Sequence, residues 1–162
     1  MSWSYTGEAI TCTFLANEFT YADFTGDNAG KTYLVKLGAS TIASAGGPLP
    51  LVQKTNALND RIYGVAVGID GDGSVRNSTP TPRRIRVVRN GIVRVTRFGG
   101  ITYGAIGQSL KTHAGDPGTA DLVDLTVPAN KGQGRGLIVG VTGLTTDDYL
   151  IVDFDVDPLT TS

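Results

Sequence analysis

The sequence has a single cysteine, Cys12, and a single histidine, His113, among 162 residues. One cysteine rules out an intrachain disulfide, and its default role is that of a small buried hydrophobe. One histidine beside Asp116, in a Gly/Thr-rich loop, offers no paired metal-ligand spacing and no histidine-based zinc motif. A GxSxG serine is also lacking, so neither nucleophilic nor metal-assisted hydrolysis has its usual signature. Charge is sparse as well, at 18% against 40% apolar residues. Long apolar runs are missing: no window approaches a membrane span, and the opening MSWSYTGEAITCTF has neither the basic segment nor the apolar run of a signal peptide. A soluble chain made in a cytoplasm, with no membrane partner, is the expectation.

No stretch of ten or more residues keeps an i, i+3, i+4, i+7 apolar pattern free of glycine and proline, which leaves room only for few, short helices. What is abundant is glycine, 22 of them with 7 prolines, and short apolar runs bounded by glycine. TYLVKLG, RIYGVAVG, RRIRVVRNG, IVRVTRFGG, GLIVGV and YLIVDFDV read as strands of one all-β domain. At this length a single domain can bury about 70% of the surface its unfolded chain exposes. Asn90-Gly91 predicts a type I′ hairpin turn, because that turn needs positive φ at both central residues. The hairpin would place Arg89 opposite Ile92 and Val87 opposite Arg94. SAGGPLPL and NSTPTPRR read as extended surface loops.

Three segments imitate ligand-binding motifs and lack their essentials. TGDNAGKT, Thr25 to Thr32, ends like a phosphate-binding loop, but three residues rather than four separate Gly26 from Gly30, and a strand follows where a helix is needed. Its glycines predict a turn, and Lys31 a solvent-facing residue at the start of a strand. Asp70-Gly-Asp-Gly-Ser74 has Val75 and Thr81 where a calcium loop needs glycine and glutamate. Gly132-Gln-Gly-Arg-Gly136 precedes a strand, not the helix of a dinucleotide site. No catalytic residue, no metal site and no cofactor is therefore expected, and the chain is read as no enzyme.

Charge is unevenly placed. Arg83, Arg84, Arg86, Arg89, Arg94 and Arg97 fall within 15 positions, whereas Asp116 to Asp157 holds eight aspartates against Lys131 and Arg135. Pairing of Arg86, Arg89, Arg94 and Arg97 with carboxylates such as Asp153 and Asp155, between subunits or with a partner, accounts for both clusters, since the guanidinium fork grips carboxylates bidentately. The alternative is single-stranded nucleic-acid binding by the arginine hairpin with Phe98; a pI near 5.7 argues against it, so no nucleic-acid partner is expected. The first 30 residues hold Trp3, Tyr5, Phe14, Phe19, Tyr21 and Phe24, half of the aromatics, with weak alternation. They are read either as an arm docking on another surface or as core strands of the domain itself.

The order AGKTYLVKL, DRIYGVAVG, IRVVRNGIVRV, ITYGAIGQSLKTHAGD and GLIVGVTGLTTDDYLIVDF resembles, from Ala29 to Val156, the small capsid decoration or cement proteins of tailed bacteriophages. The resemblance implies an all-β fold, a compact β-barrel or β-tulip-like domain over residues 29–162 with an extended N-terminal arm over residues 1–28. It implies a homotrimer on the outer capsid surface of the virion, binding the major capsid protein and stabilising the assembled shell. In that reading Trp3, Tyr5, Phe14, Phe19 and Tyr21 are the capsid-binding arm residues. A tail or fibre protein with a carbohydrate-binding face is a further alternative.

Overall fold

A computed structural model describes residues 5–15, 17–38, 49–57, 60–70, 83–96, 107, 109–112, 117–123, 136–142 and 149–154. Among them the chain is all β. Ten strands run in the order β1 (Ala9–Thr13), β2 (Tyr33–Leu37), β3 (Val52–Lys54), β4 (Gly64–Asp70), β5 (Arg84–Val88), β6 (Ile92–Thr96), β7 (Ser109–Thr112), β8 (Ala120–Val123), β9 (Leu137–Thr142) and β10 (Tyr149–Asp153). Their antiparallel ladders build a five-stranded sheet ordered β1-β5-β4-β2-β3, a three-stranded sheet ordered β6-β10-β9, and the β7-β8 pair. The described helical pieces are two single 3₁₀ turns, Tyr21–Asp23 and Gly26–Asn28.

Side-chain alternation sets which way each strand faces. In β10 Leu150 and Val152 are buried while Tyr149, Ile151 and Asp153 face outward, half-buried. β2 behaves differently: Tyr33, Leu34 and Val35 are buried in succession, because the five-stranded sheet is covered on both sides. One face, with Leu34, Val65 and Val88, packs on Val93, Val95, Ile138, Leu150 and Val152 of the three-stranded sheet. The other face, with Cys12, Tyr33, Val35, Val52, Ala66, Ile85 and Val87, is filled by Phe14 and Phe19.

The five-stranded sheet curls until its two edges touch. Thr13 of β1 forms a parallel bridge with Leu51, and its N–H donates to the Pro50 carbonyl at 2.8 Å. Among the described residues that seam is one bridge long, so the expected compact barrel is a curled sheet without a closed ladder.

Two expectations need correction. Asn90-Gly91 does not close a hairpin: β5 pairs with β1 and β4, and β6 pairs with β10, so the turn is a corner where the chain leaves one sheet for the other. Gly91 has φ +80°, but Asn90 is not in the left-handed region, so the type I′ geometry is not formed. The N-terminal segment explains why, since it runs antiparallel to both arms of the corner. β1 takes the edge of β5, Tyr5 bridges to Val93 on β6, and Gly7 crosses at the corner itself. The second correction follows directly. Residues 5–28 are part of the domain and supply an edge strand and aromatic core, so the described structure has no arm ending at residue 28.

Candidate functional site

The aromatic residues expected on an arm divide by burial. Phe14 and Phe19 are fully buried and Tyr21 nearly so. Phe14 meets Phe19 edge-on with centroids 5.4 Å apart, and Phe24 meets Tyr33 edge-on at 5.3 Å. These rings fill the concave face of the curled sheet, so Phe14, Phe19 and Tyr21 are core residues and not surface anchors. Tyr5 is half-buried against the core between the sheets. Trp3 lies outside the described residues.

Lys54, which sequence inspection passed over, clamps this aromatic segment. Its ammonium stands 5.1 Å from the centroid of Phe19 and 5.0 Å from that of Tyr33, and pairs with Asp23 Oδ1 at 3.2 Å. Its backbone N–H donates to Glu18 Oε1 at 2.6 Å. Asp23 in turn accepts the Thr20 N–H at 2.8 Å, fixing the start of the first 3₁₀ turn. A lone lysine in the run VQK carries no sequence signal of this role. The partners lie more than 20 residues away in the chain.

TGDNAGKT is a turn, as expected, with φ +60° at Gly26 and +83° at Gly30. Its last residue has a role no motif announced. Thr32 is buried, its hydroxyl donates to the Arg94 carbonyl at 2.6 Å, and the same oxygen accepts the Thr96 N–H at 3.2 Å. Thr6 treats the other end of β6 alike: its N–H donates to the Ile92 carbonyl at 2.8 Å, and its hydroxyl accepts the Ile92 N–H at 3.0 Å. Two threonines thereby satisfy the outer edge of β6, which would otherwise present unpaired backbone groups.

Three of the arginines make contacts that span separate parts of the chain. Arg83 Nε donates to the Phe14 carbonyl at 2.9 Å. Arg89 lies over the Tyr63 ring at 4.2 Å and donates to the Tyr63 carbonyl. Arg94 lies over the Tyr149 ring at 4.5 Å and reaches the Gly30 carbonyl at 3.2 Å, leaving its buried Nε without a partner. Arg84 and Arg86 stand exposed on β5. Asp153 is half-buried, opposite Ile92 in the ladder. Arg97 and Asp155 lie outside the described residues, as do Phe98, His113 and Asp116. Among the described residues Arg89 and Arg94 are engaged by different rings, Tyr63 and Tyr149.

Asp60 forms a tighter polar node. Its carboxylate accepts the Asn56 and Ala57 N–H groups at 2.8 and 2.9 Å and pairs with Lys36 at 2.9 Å. Burial works against its charge, but the Asn56 N–H, the Lys36 ammonium and the Ala57 N–H together outweigh it and hold the carboxyl below its ordinary range. Burial pushes the Cys12 thiol the other way, up to about 11, with Arg89 opposing weakly. Among the described residues no group of three or more His, Cys, Asp or Glu side chains could hold a metal ion, and no helix is long and apolar enough to cross a membrane. No protein-family model matches the chain, and no characterised protein and no solved structure matches it either.

Proposed function

We propose that the chain is a decoration, or cement, protein of a tailed-bacteriophage capsid, a non-enzymatic homotrimer that binds the outer surface of the assembled major capsid protein shell and stabilises it. The observation that carries this reading is the order of the segments that resemble that family. AGKTYLVKL, DRIYGVAVG, IRVVRNGIVRV, QSLKT and GLIVGV followed by DYLIVDF become β2, β4, β5 with β6, β7, and β9 with β10, consecutive parts of one all-β domain. The curled five-stranded sheet supports the barrel-like or tulip-like version of the fold. Such a protein acts by mass action, since whatever binds the assembled shell and not its loosened form stabilises the former. Surface and complementarity suffice, and a multivalent trimer lets each contact be modest.

The burial of Phe14, Phe19 and Tyr21 narrows the arm to Trp3 and Tyr5, and brings other apolar groups forward as shell contacts. Leu37 is 57% exposed and Leu15 37%, and they flank the Leu51–Val52 stretch where the edges of the sheet meet. The nucleic-acid alternative loses three of its arginines to contacts within the chain. Every described Phe and Tyr is buried or half-buried, which removes the cue for a carbohydrate-binding face. The test is add-back. Shells lacking the protein should lose resistance to heat and regain it on adding purified wild type, less so with Leu37→Asp; unchanged resistance with and without the protein would sink the reading.

A further inference from the structure

The Asn90-Gly91 corner is set apart by its chemistry as well as by its shape. Asn90 is the one asparagine of the chain that precedes glycine, and glycine has no Cβ to keep its nitrogen away from the preceding side chain. An asparagine so placed can deamidate unaided, because the attack closes a five-membered ring within one dipeptide. Asn90 is exposed on the corner between β5 and β6, whereas Gly91 behind it is buried.

What covers the pair is Gly7. The atoms nearest to a Cβ placed on Gly7 are the carbonyl oxygen, the carbonyl carbon and Oδ1 of Asn90, with Oδ1 at 2.7 Å. A Cβ placed on Gly91 would meet the Gly7 nitrogen at 2.6 Å and its Cα at 2.8 Å. Gly7 therefore lies against the Asn90–Gly91 peptide plane and against the side-chain amide that would react. Its neighbours hold it there: Thr6 exchanges two hydrogen bonds with Ile92, Tyr5 bridges to Val93, and Ala9 enters the ladder opposite Val88. The Phe154 N–H also holds the Gly91 carbonyl, at 2.9 Å. Ring closure needs the peptide plane to swing about the Asn90 Cα–C bond until the Gly91 nitrogen reaches Cγ, a swing that Gly7 and the bonds on Gly91 and Ile92 oppose.

We propose that Asn90 is a self-modification site kept closed by the Tyr5–Glu8 crossing and opened when that segment leaves the corner. In the open corner the Gly91 nitrogen bonds to Asn90 Cγ, the Cγ–Nδ2 bond breaks, and ammonia departs with the proton of the Gly91 amide. Water then opens the succinimide: attack at Cγ leaves aspartate, and attack at the main-chain carbonyl leaves isoaspartate. Nothing is oxidised or reduced, and water is the co-reactant. Either product sets a carboxylate where Gly7 packed on a neutral amide, and isoaspartate adds one atom to the main chain at the corner. The site thus turns a transient release of the N-terminal segment into a permanent one, independently of any shell contact.

The test follows the tryptic fragment Asn90–Arg94, whose mass rises as the amide becomes an acid, in the full-length protein and in a synthetic peptide of residues 86–94. Folded wild type at neutral pH should deamidate at least about tenfold more slowly than the peptide. That ratio measures how rarely the corner opens; the matching ratio for Cys12, thiol labelling of the folded protein against labelling in urea, measures opening of β1 and the core. Asn90 should be at least about tenfold less protected than Cys12, because Tyr5–Glu8 can leave while β1 stays paired. Gly7→Ala should speed deamidation by about tenfold or more with Cys12 still protected. Where Gly7→Ala opens Cys12 as well, removal of residues 1–8 takes its place, and the wild-type comparison needs neither variant. A peptide that does not deamidate, a wild type as fast as the peptide, a protection equal to that of Cys12, or a rate unmoved by loss of the crossing overturns the proposal. A Glu-specific protease should also cut the isolated deamidated chain after the exposed Glu8 faster than the unmodified chain; equal cutting overturns the permanent release.

Discussion

The hydroxyl of Thr32 and the carbonyl of Arg94 are joined by a 2.6 Å hydrogen bond that ties the TGDNAGKT turn to the edge of the three-stranded sheet. Replacing Thr32 by valine keeps the shape and removes the oxygen, leaving the Arg94 carbonyl and the Thr96 N–H buried without partners. Each orphaned group costs about 1–3 kcal/mol, so Thr32→Val should lower the urea midpoint clearly. Lys31→Ala, one residue earlier, should change stability by less than about 0.5 kcal/mol. ATP or GTP should leave the thermal midpoint of the wild type unmoved, because a strand, and not a helix N-terminus that could face a phosphate, follows the lysine of this turn. A nucleotide-dependent rise would reverse that conclusion.

That stretch also shows what sequence could and could not convey. The strands were legible because alternation and glycine punctuation are local, and β2, β4, β5, β6, β9 and β10 lie where those patterns put them. Asn90-Gly91 was legible as a turn, but which strand pairs with which is decided by distant residues. β1 occupies one edge of β5 and β10 pairs with β6, so the corner opens where a hairpin was expected. Phe14 and Phe19 gave only weak alternation because they follow β1 in an irregular excursion that fills the sheet's concave side. Lys54 carried no signal, since its partners come from separate parts of the chain, and the Lys36 partner of Asp60 is likewise remote in sequence.

The crossing of Gly7 over Gly91 predicts a coupled pair. A Cβ on Gly91 would lie 2.6 Å from the Gly7 nitrogen, and one on Gly7 would overlap the Asn90 carbonyl oxygen. Gly91→Ala also forces an L side chain into φ +80°, a strain of about 1–3 kcal/mol by itself. Each single change should destabilise the domain, and the double variant should lose less than the sum, because one displaced crossing relieves both clashes. Strict additivity in urea unfolding would mean that the two glycines do not share one contact.

Cys12 should be inert while the protein is folded. Its thiol is fully buried and its pKa is raised to about 11 from 9.0, so a thiol reagent at neutral pH should react only as fast as the chain opens. The direction of the pH effect follows from the raised value. The buried neutral thiol favours folding fully below pH 9.0, and that contribution is lost as the pH rises through about 11, amounting to roughly 2–3 kcal/mol. Cys12→Ala should flatten this alkaline loss; an equal slope in both proteins would assign the loss to other groups.

Asp60 works at the opposite end of the pH scale. Its folded pKa is lowered below 3.8, so its contribution is present above the ordinary carboxylate range and fades as the pH falls through the lowered value. Asp60→Asn should cost roughly 1 kcal/mol at neutral pH, mainly through the weakened contacts to Lys36 and to the Asn56 and Ala57 N–H groups. Below pH 3.8 the variant and the wild type should converge. A constant gap down to the acid transition would show that the charge of Asp60 is not what stabilises its loop.

Whether the first residues are arm or core is decided by comparing Phe19 with Trp3. Phe19 is fully buried, touches Phe14 and Tyr33, and holds the Lys54 ammonium over its face. Phe19→Ala removes the ring from a packed cluster, a loss of about 3–5 kcal/mol, which is a large share of a stability of about 5–15 kcal/mol. Phe14→Ala should behave alike, and deleting residues 1–24 should abolish cooperative unfolding, since it strips β1 from β5 and empties the concave face. Trp3→Ala should instead leave the urea midpoint within about 0.5 kcal/mol of wild type and reduce rebinding to bare shells. The opposite pattern, a tolerated Phe19→Ala beside a destabilising Trp3→Ala, would return the aromatic segment to an arm. Because the two substitutions separate folding from binding, a shell-binding defect counts for the arm only in a variant that still unfolds like wild type.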